Sequence, residues 1–483
     1  SLKKKNLNNY RKNFLSESYL LSLVFLQFGC GKSGSGKVED VVSVGFSPNY
    51  IPPVKNYIQP ESRDPYFKKL SLPYSDPYWT RALLMDDGEE DVGEILFQHE
   101  NILVYAFPSE APDYLPVEIS GWSPANEKMK LASREIFSKL EKVLDVKIEE
   151  TESVTGLNVL SISQSIQASS AGFSFFPNNF YYLGSDIFIS KNYSNPLFLS
   201  GTHTNYDYEI LVHEIGHALG LKHPFESDRS NDITLTDYED QTKFTAMSYD
   251  EDPNTFDGTF RVLDWMALTE FYGVNPSYNN ANNVYTFSDD IGVFIIDGSG
   301  VDQINAGNSN KDIFLDLRSG THSYEGQFSS KISDPNQLTI SHGSDIENII
   351  LGRGNDNVIG NNLPNVIETS EGNDLIYPSE GADVINSGPG FDAIDLSEEI
   401  NTTDKLIFNV DLNDLSHDLI YGFRQGAGGD VLQINNTLFT KLHFLPLIEV
   451  ENIPKGIIDG CIVRVAGSGL NSSTELANSF NKS

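Results

Sequence analysis

Three of the chain's nine histidines fall within one stretch, His213-Glu-Ile-Gly-His217-Ala-Leu-Gly220-Leu-Lys-His223, with the carboxylate of Glu214 beside the first. A spacing of four along a helix puts His213 and His217 on one face, where both imidazoles can grip one zinc ion. A catalytic zinc takes three protein ligands and keeps a position open for water, and His223 is the candidate third. To bring His223 back, the chain must leave the helix and turn sharply. Gly220 tolerates the left-handed backbone that ends helices, and Pro224 prevents the helix from resuming. Glu214 is rotated off the ligand face, where a carboxylate can take a proton from water instead of binding the ion. The implied chemistry is metal-assisted hydrolysis. A surface helix with two solvated histidines would not require Gly220 and His223 at their fixed offsets.

Downstream stands Thr245-Ala-Met247-Ser-Tyr249. With it, residues 213 to 223 resemble the long zinc signature and Met-turn of the metzincin metalloproteases. The Met-Ser-Tyr wording and the run Glu-Ile-Gly-His-Ala-Leu-Gly-Leu-x-His-Pro are similar to the serralysin branch. The resemblance implies that Met247 forms a hydrophobic floor beneath the ligands. It also implies that Tyr249 is a further zinc ligand, able to swing away and donate a hydrogen bond to the oxyanion, and that protein or peptide is the substrate.

An α+β catalytic domain over 94–273 would position these groups. Residues 95–97 and 102–107 read as strands, as do 159–162 and 187–189. Residues 126–144 read as an amphipathic helix with Ala132, Ile136, Leu140 and Val143 on one face. Residues 262–273 read as a closing helix ending at a glycine cap. The family resemblance places an edge strand for substrate pairing in the last strand before the zinc helix, with residues 168–176 in the corresponding region.

From 274 to 483 the pattern changes to an all-β domain. In blocks of nine, Asp356, Asn365, Asp374, Asp383 and Asp392 share a column, with Val358, Ile367, Ile376, Ile385 and Ile394 two positions on. Glycines at 354, 372, 381 and 390 stand two positions back. This period resembles the calcium-binding nonapeptide of RTX proteins, a parallel β-roll. Glycines make the turns, aspartates give the hard oxygens calcium requires, and the aliphatic column faces inward. The best calcium sites use Gly352, Gly354 and Asp356, then Gly372, Asp374, Gly381, Asp383, Gly390 and Asp392. The array is degenerate at Leu363-Pro364-Asn365, so fewer ions than turns are expected. Asp297, Gly300 and Asp302 resemble a further family calcium site, and 418–426 resembles the β-sandwich part of the same domain.

The whole chain, 483 residues with a net charge of −35, is long enough for several folded cores and opposite in sign to what nucleic acid attracts. Two cysteines, Cys30 and Cys461, imply no disulfide framework. Residues 1–30 have export-signal anatomy, with basic residues before a short apolar run, and Cys30 resembles a lipoprotein attachment point that would tether the protein to a membrane. Serralysins lack such a leader, so the chain departs from the family there. Residues 31–93 read as a linker or pro-segment. The expectation is a monomeric, exported zinc endopeptidase with a calcium-stabilised domain, extracellular or on the cell surface. The alternative is a calcium-dependent adhesion protein with a vestigial zinc site.

Overall fold

The computed structural model describes residues 54–56, 73–75, 77–85, 101–167, 170–178, 182–192, 205–227, 231–250, 258–408, 418–424, 428–434, 448–450 and 463–466. The leader, Cys30 and the strand expected at 95–97 lie outside these residues, as does most of 31–93. The chain divides into two compact units, with the division in the second half falling between Asn275 and Pro276. Among the described residues, no helix is long and apolar enough to cross a membrane.

A short antiparallel ladder joins β1 (Val54–Asn56) to β2 (Pro73–Ser75). The first unit then begins with α1 (Tyr78–Arg81), upstream of the boundary at 94 that the sequence suggests. Trp79, Leu83 and Leu84 are buried there at 2% exposure or less, so this segment belongs to the unit's core. β3 (Ile102–Ala106) and β4 (Ser123–Pro124) follow. Next comes α2 (Glu127–Val143), whose start is fixed by Asn126, which accepts the Met129 N–H at 3.0 Å. Its Ala132, Ile136, Leu140 and Val143 are buried, as their spacing requires.

The unit's sheet continues through β5 (Lys147–Thr151), β6 (Leu160–Ser165), β7 (Gly172–Ser174) and β8 (Ile187–Ser190). Strand order is β5-β3-β6-β8-β7, with β4 paired to β6. The ladders β5-β3, β3-β6 and β6-β8 are parallel, and β7 runs antiparallel to β8. The last described strand before the histidine helix, β8, is therefore internal. The chain doubles back, so that β7 ends the sheet in its place. Two helices complete the unit: α3 (Asn205–Ala218), which carries His213, Glu214 and His217, and α4 (Val262–Tyr272). Gly273, with φ +65°, terminates α4.

Most of the second unit is a two-sheet parallel roll; in one sheet His322–Glu325 runs antiparallel to both Ile313–Asp316 and Gln337–Ile340. Consecutive nine-residue repeats alternate between the sheets, so each strand pairs with the one 18 residues on: Val358 with Ile376 and then Ile394 in one sheet, Ile367 with Ile385 in the other. The whole aliphatic column, Val358, Ile367, Ile376, Ile385 and Ile394, is at most 1% exposed and forms the core with Leu315, Ile340 and Ile349. Burying each such side chain contributes roughly 1.5–3 kcal/mol. Strand Leu419–Tyr421, expected to lie in a β-sandwich, pairs in parallel with Ala393–Asp395 and extends the roll.

Candidate metal centre

α3 is apolar around most of its circumference: Ile210, Leu211, Val212, Ile215 and Ala218 are at most 4% exposed. A helix of this kind is buried on every side, so its polar residues are buried too. His213, Glu214 and His217 are at most 4% exposed. The helix ends in a turn in which the Leu221 N–H donates to Gly216 O and Gly220 adopts φ +100°. That turn returns His223 to the two helical histidines, with His223 Nε2 lying 3.1 Å from both His213 Nε2 and His217 Nε2.

Each outer ring nitrogen faces an acceptor. His213 Nδ1 is 2.7 Å from Ala246 O, His217 Nδ1 is 2.7 Å from Leu221 O, and His223 Nδ1 is 3.0 Å from Glu226 Oε2. These acceptors place the proton of a neutral imidazole on Nδ1 and leave the three Nε2 lone pairs facing one another. Burial holds the rings neutral, with His213 pushed down to about 4 and His217 and His223 pushed well below the ordinary value. Three converging lone pairs without a proton repel unless a cation lies among them, and an all-imidazole set suits zinc. The donor atoms lie within 4.8 Å of one another.

The surrounding elements hold this arrangement. Met247 is fully buried against α3 at Gly216, where a Cβ would lie 2.6 Å from Met247 Sδ. Asp264, in the first turn of α4, clamps the Met247 turn: it accepts from Thr245 Oγ1 at 2.6 Å, the Ala246 N–H at 2.7 Å and the Arg261 N–H at 2.8 Å. The same turn supplies Ala246 O to His213. Asp264 is not legible in the sequence, because its spacing to the histidines carries no ligand pattern. Residues 78–85 brace a different turn, the one between His217 and His223. Leu83 O accepts the Lys222 N–H at 2.6 Å, Gly220 O accepts the Met85 N–H at 2.9 Å, and Leu84 pairs with Leu221.

Glu214 faces β7. Ser174 Oγ donates to Glu214 Oε2 at 2.9 Å, and a Cβ on Gly172 would meet Glu214 Oε1 at 2.8 Å. Gly172 and Ser174 are two residues apart and so share a face of the strand. Tyr249 is 42% exposed, with its ring 4.6 Å from that of His223 and 5.7 Å from that of His213. Phe225 stacks on His223 at 5.1 Å and also touches Tyr249.

The aspartate column of the second unit splits into two ladders, since alternate repeats fall on opposite sheets. In one, the N–H groups of Asp356, Asp374 and Asp392 donate to Oδ1 of Asp374, Asp392 and Asp418. In the other, Asn365, Asp383 and Asp404 donate to Asp383, Asp404 and Asp430. Oδ2 of Asp356, Asp383 and Asp404 is buried and has no hydrogen-bond partner. Burial first, then neighbouring carboxylates, push Asp356 and Asp404 up to about 7 and Asp383 up to about 8. Orphaned buried oxygens of this kind fit a hard cation. Glu398 joins Asp383 and Asp404 in a group whose carboxylate oxygens lie within 4.8 Å of one another. Asp404, Asp418 and Asp430 fall off the nine-residue period, but each keeps an aliphatic residue two positions on, which is the signal that could have found them.

Gly352 and Gly354 lie in the first of these turns, where a Cβ would stand 2.1 and 2.2 Å from the carbonyl oxygens of Ser309 and Lys311. At Gly390, with φ +156°, it would stand 1.5 Å from Gly372 O, so the stacked turns admit only glycine there. Gly372 and Gly381 lie against carbonyls in the same way. Asp297 and Asp302 are also buried. Asp297 accepts from Asn283 Nδ2 and Asp302 accepts the Asn283 N–H, with Gly300 between them in sequence.

No family model matches the chain. It is 28% identical to serralysin of Photorhabdus luminescens over 301 residues, covering 55% of this chain and 59% of that protein. It is 29% identical to serralysin G of Dickeya chrysanthemi over 309 residues, covering 57% and 62% respectively. To metallopeptidase AprA of Pseudomonas marginalis it is 29% identical over 283 residues, covering 52% and 57%. The chain thus spans about six-tenths of the length of the curated relatives it matches. It is related to the serralysin-type metalloproteases.

Proposed function

We propose that this chain is a zinc-dependent endopeptidase of the metzincin type, acting on protein substrates outside the cytoplasm, with a calcium-stabilised roll as its second domain. The observation that carries this reading is the convergence of three neutral Nε2 atoms, with that of His223 lying 3.1 Å from the other two, beside the buried carboxylate of Glu214. His213, His217 and His223 would hold the zinc. When bound, the ion supplies Lewis acidity toward the scissile carbonyl and toward water. Glu214 takes the proton of the attacking water and returns it to the leaving amine. Ser174 orients that carboxylate through its 2.9 Å hydrogen bond. Tyr249, partly exposed beside His213 and His223, donates a hydrogen bond to the oxyanion. Met247 supports the ligand helix from below.

Substrate enters as an added strand on this reading. β7 ends the sheet and presents Gly172 and Ser174 next to Glu214, so an extended peptide paired to its outer edge passes the general base. Main-chain pairing of this kind reads few side chains. Calcium would be held by the two aspartate ladders, including Asp356, Asp374, Asp383 and Asp392, with Asp404 and Glu398 added, and by Asp297 and Asp302.

The test compares the full chain with Glu214→Ala on casein in calcium buffer. Wild type with zinc verified should cleave at least a hundredfold faster, the low end for losing a general acid–base group. Equal rates would end the protease reading.

A further inference from the structure

Lys222 occupies a position inside the histidine stretch to which the motif assigns no role, yet it is 2% exposed. Its ammonium donates to Glu226 O at 2.6 Å and to Ile233 O at 3.0 Å, with His223 O at 3.5 Å. A buried ammonium survives only with such partners, and gathering these carbonyls wraps residues 223–226 around one cation, with Ile233 beside them. The wrapped loop turns Glu226 back toward the metal centre, so that Oε2 lies 3.0 Å from His223 Nδ1. Phe225 lies flat on the same imidazole, with an interplanar angle of 7°.

The three histidines are not held alike. His213 and His217 donate to main-chain carbonyls, which are neutral and fixed by the fold. His223 alone donates to a side-chain carboxylate. Resting on the zinc reading above, we propose that Glu226 is a positioning residue for the third ligand. It fixes the His223 tautomer, aims Nε2 at the metal and strengthens that nitrogen as a donor, while Lys222 holds the Glu226 backbone in place. Carboxylate partners of ligating imidazoles act in this way and typically alter metal affinity 10–100-fold. Retention of zinc in this chain is thereby set by a replaceable side chain three residues beyond the third ligand.

The test measures zinc affinity and zinc release by chelator competition on the full chain in calcium, for wild type, Glu226→Ala and Glu226→Gln. Glu226→Ala should bind zinc about 10–100-fold more weakly and release it correspondingly faster. Glu226→Gln keeps an acceptor for the Nδ1 proton, so it should recover most of that loss. Unfolding of the zinc-free proteins, followed by tryptophan fluorescence, should be nearly the same for all three, since the Glu226 side chain is 28% exposed. Zinc affinity of Glu226→Ala within twofold of wild type would overturn the proposal, as would a Gln variant as weak as the Ala variant. A wild-type chain that binds no zinc would instead sink the metal-centre reading beneath it.

Discussion

Replacing Asp264 by alanine removes the acceptor for three buried donors at once: Thr245 Oγ1, the Ala246 N–H and the Arg261 N–H, at 2.6, 2.7 and 2.8 Å. Asp264 and Thr245 are 0% exposed and Ala246 is 2% exposed, so water cannot easily take its place. Each buried donor left unsatisfied costs about 1–3 kcal/mol; discounted for partial relaxation, the three together cost about 4 kcal/mol. Against a typical stability of about 5–15 kcal/mol, that is a large fraction. Asp264→Asn keeps one oxygen, and its amide can face Thr245, so the cost should fall to about 2 kcal/mol. The assay is urea unfolding of zinc-free protein at fixed calcium, followed by tryptophan fluorescence. All three tryptophans, Trp79, Trp122 and Trp265, lie in the first unit, so the signal reports on it alone. The alanine variant should also bind zinc more weakly, because the freed turn no longer aims Ala246 O at His213. A stability loss below about 1 kcal/mol in the alanine variant would refute the clamp.

Calcium removal should leave a roll that is more stable in acid. Asp356, Asp374, Asp383 and Asp404 are raised to about 7, 8, 8 and 7 from an ordinary value of 3.8, with burial as the first cause. The folded roll then binds more protons than the unfolded chain, so the stability that protonation contributes is full below pH about 4 and is lost as pH rises to about 8. Melting of calcium-stripped protein by circular dichroism should therefore occur at a lower temperature at pH 8 than at pH 5, and calcium should restore it at pH 8; a rise in melting temperature between those pH values would count against the ladders. Processing is constrained as well. Because residues 78–85 brace the turn between His217 and His223, the zinc-loaded mature protein should begin upstream of Tyr78. Mass spectrometry of the mature N-terminus decides this, and a stable zinc-loaded form starting beyond Met85 would contradict it.

The grouping of His213, His217 and His223 could be read from sequence because a shared cation would demand fixed offsets, and those offsets bring the three rings together in the fold. The roll could be read because its nine-residue period repeats an inward aliphatic residue, although the period hides the alternation of its ladders between two sheets. Less legible were groups whose role depends on approach across the chain. Asp264 acts on a turn centred 17 residues before it, and Glu226 acts on His223 through a loop wound around Lys222. Neither leaves a periodic trace. β5 was missed because only Ile148 of its five residues is buried, so alternation gives almost no signal. β7 is three residues long, too short for a pattern of its own, and only the family resemblance pointed to its region, 168–176, as the edge near Glu214.

On the proposed function, three histidines hold one zinc ion which, together with Glu214, hydrolyses peptides. The decisive measurement adds zinc stepwise to chelator-stripped protein in calcium buffer and follows cleavage of a protein substrate. Wild-type activity should rise with zinc and level off at one ion per chain, while Glu214→Gln should bind the same single ion and stay inactive. Zinc-loaded wild type without cleavage, or cleavage that persists in Glu214→Gln, would contradict it.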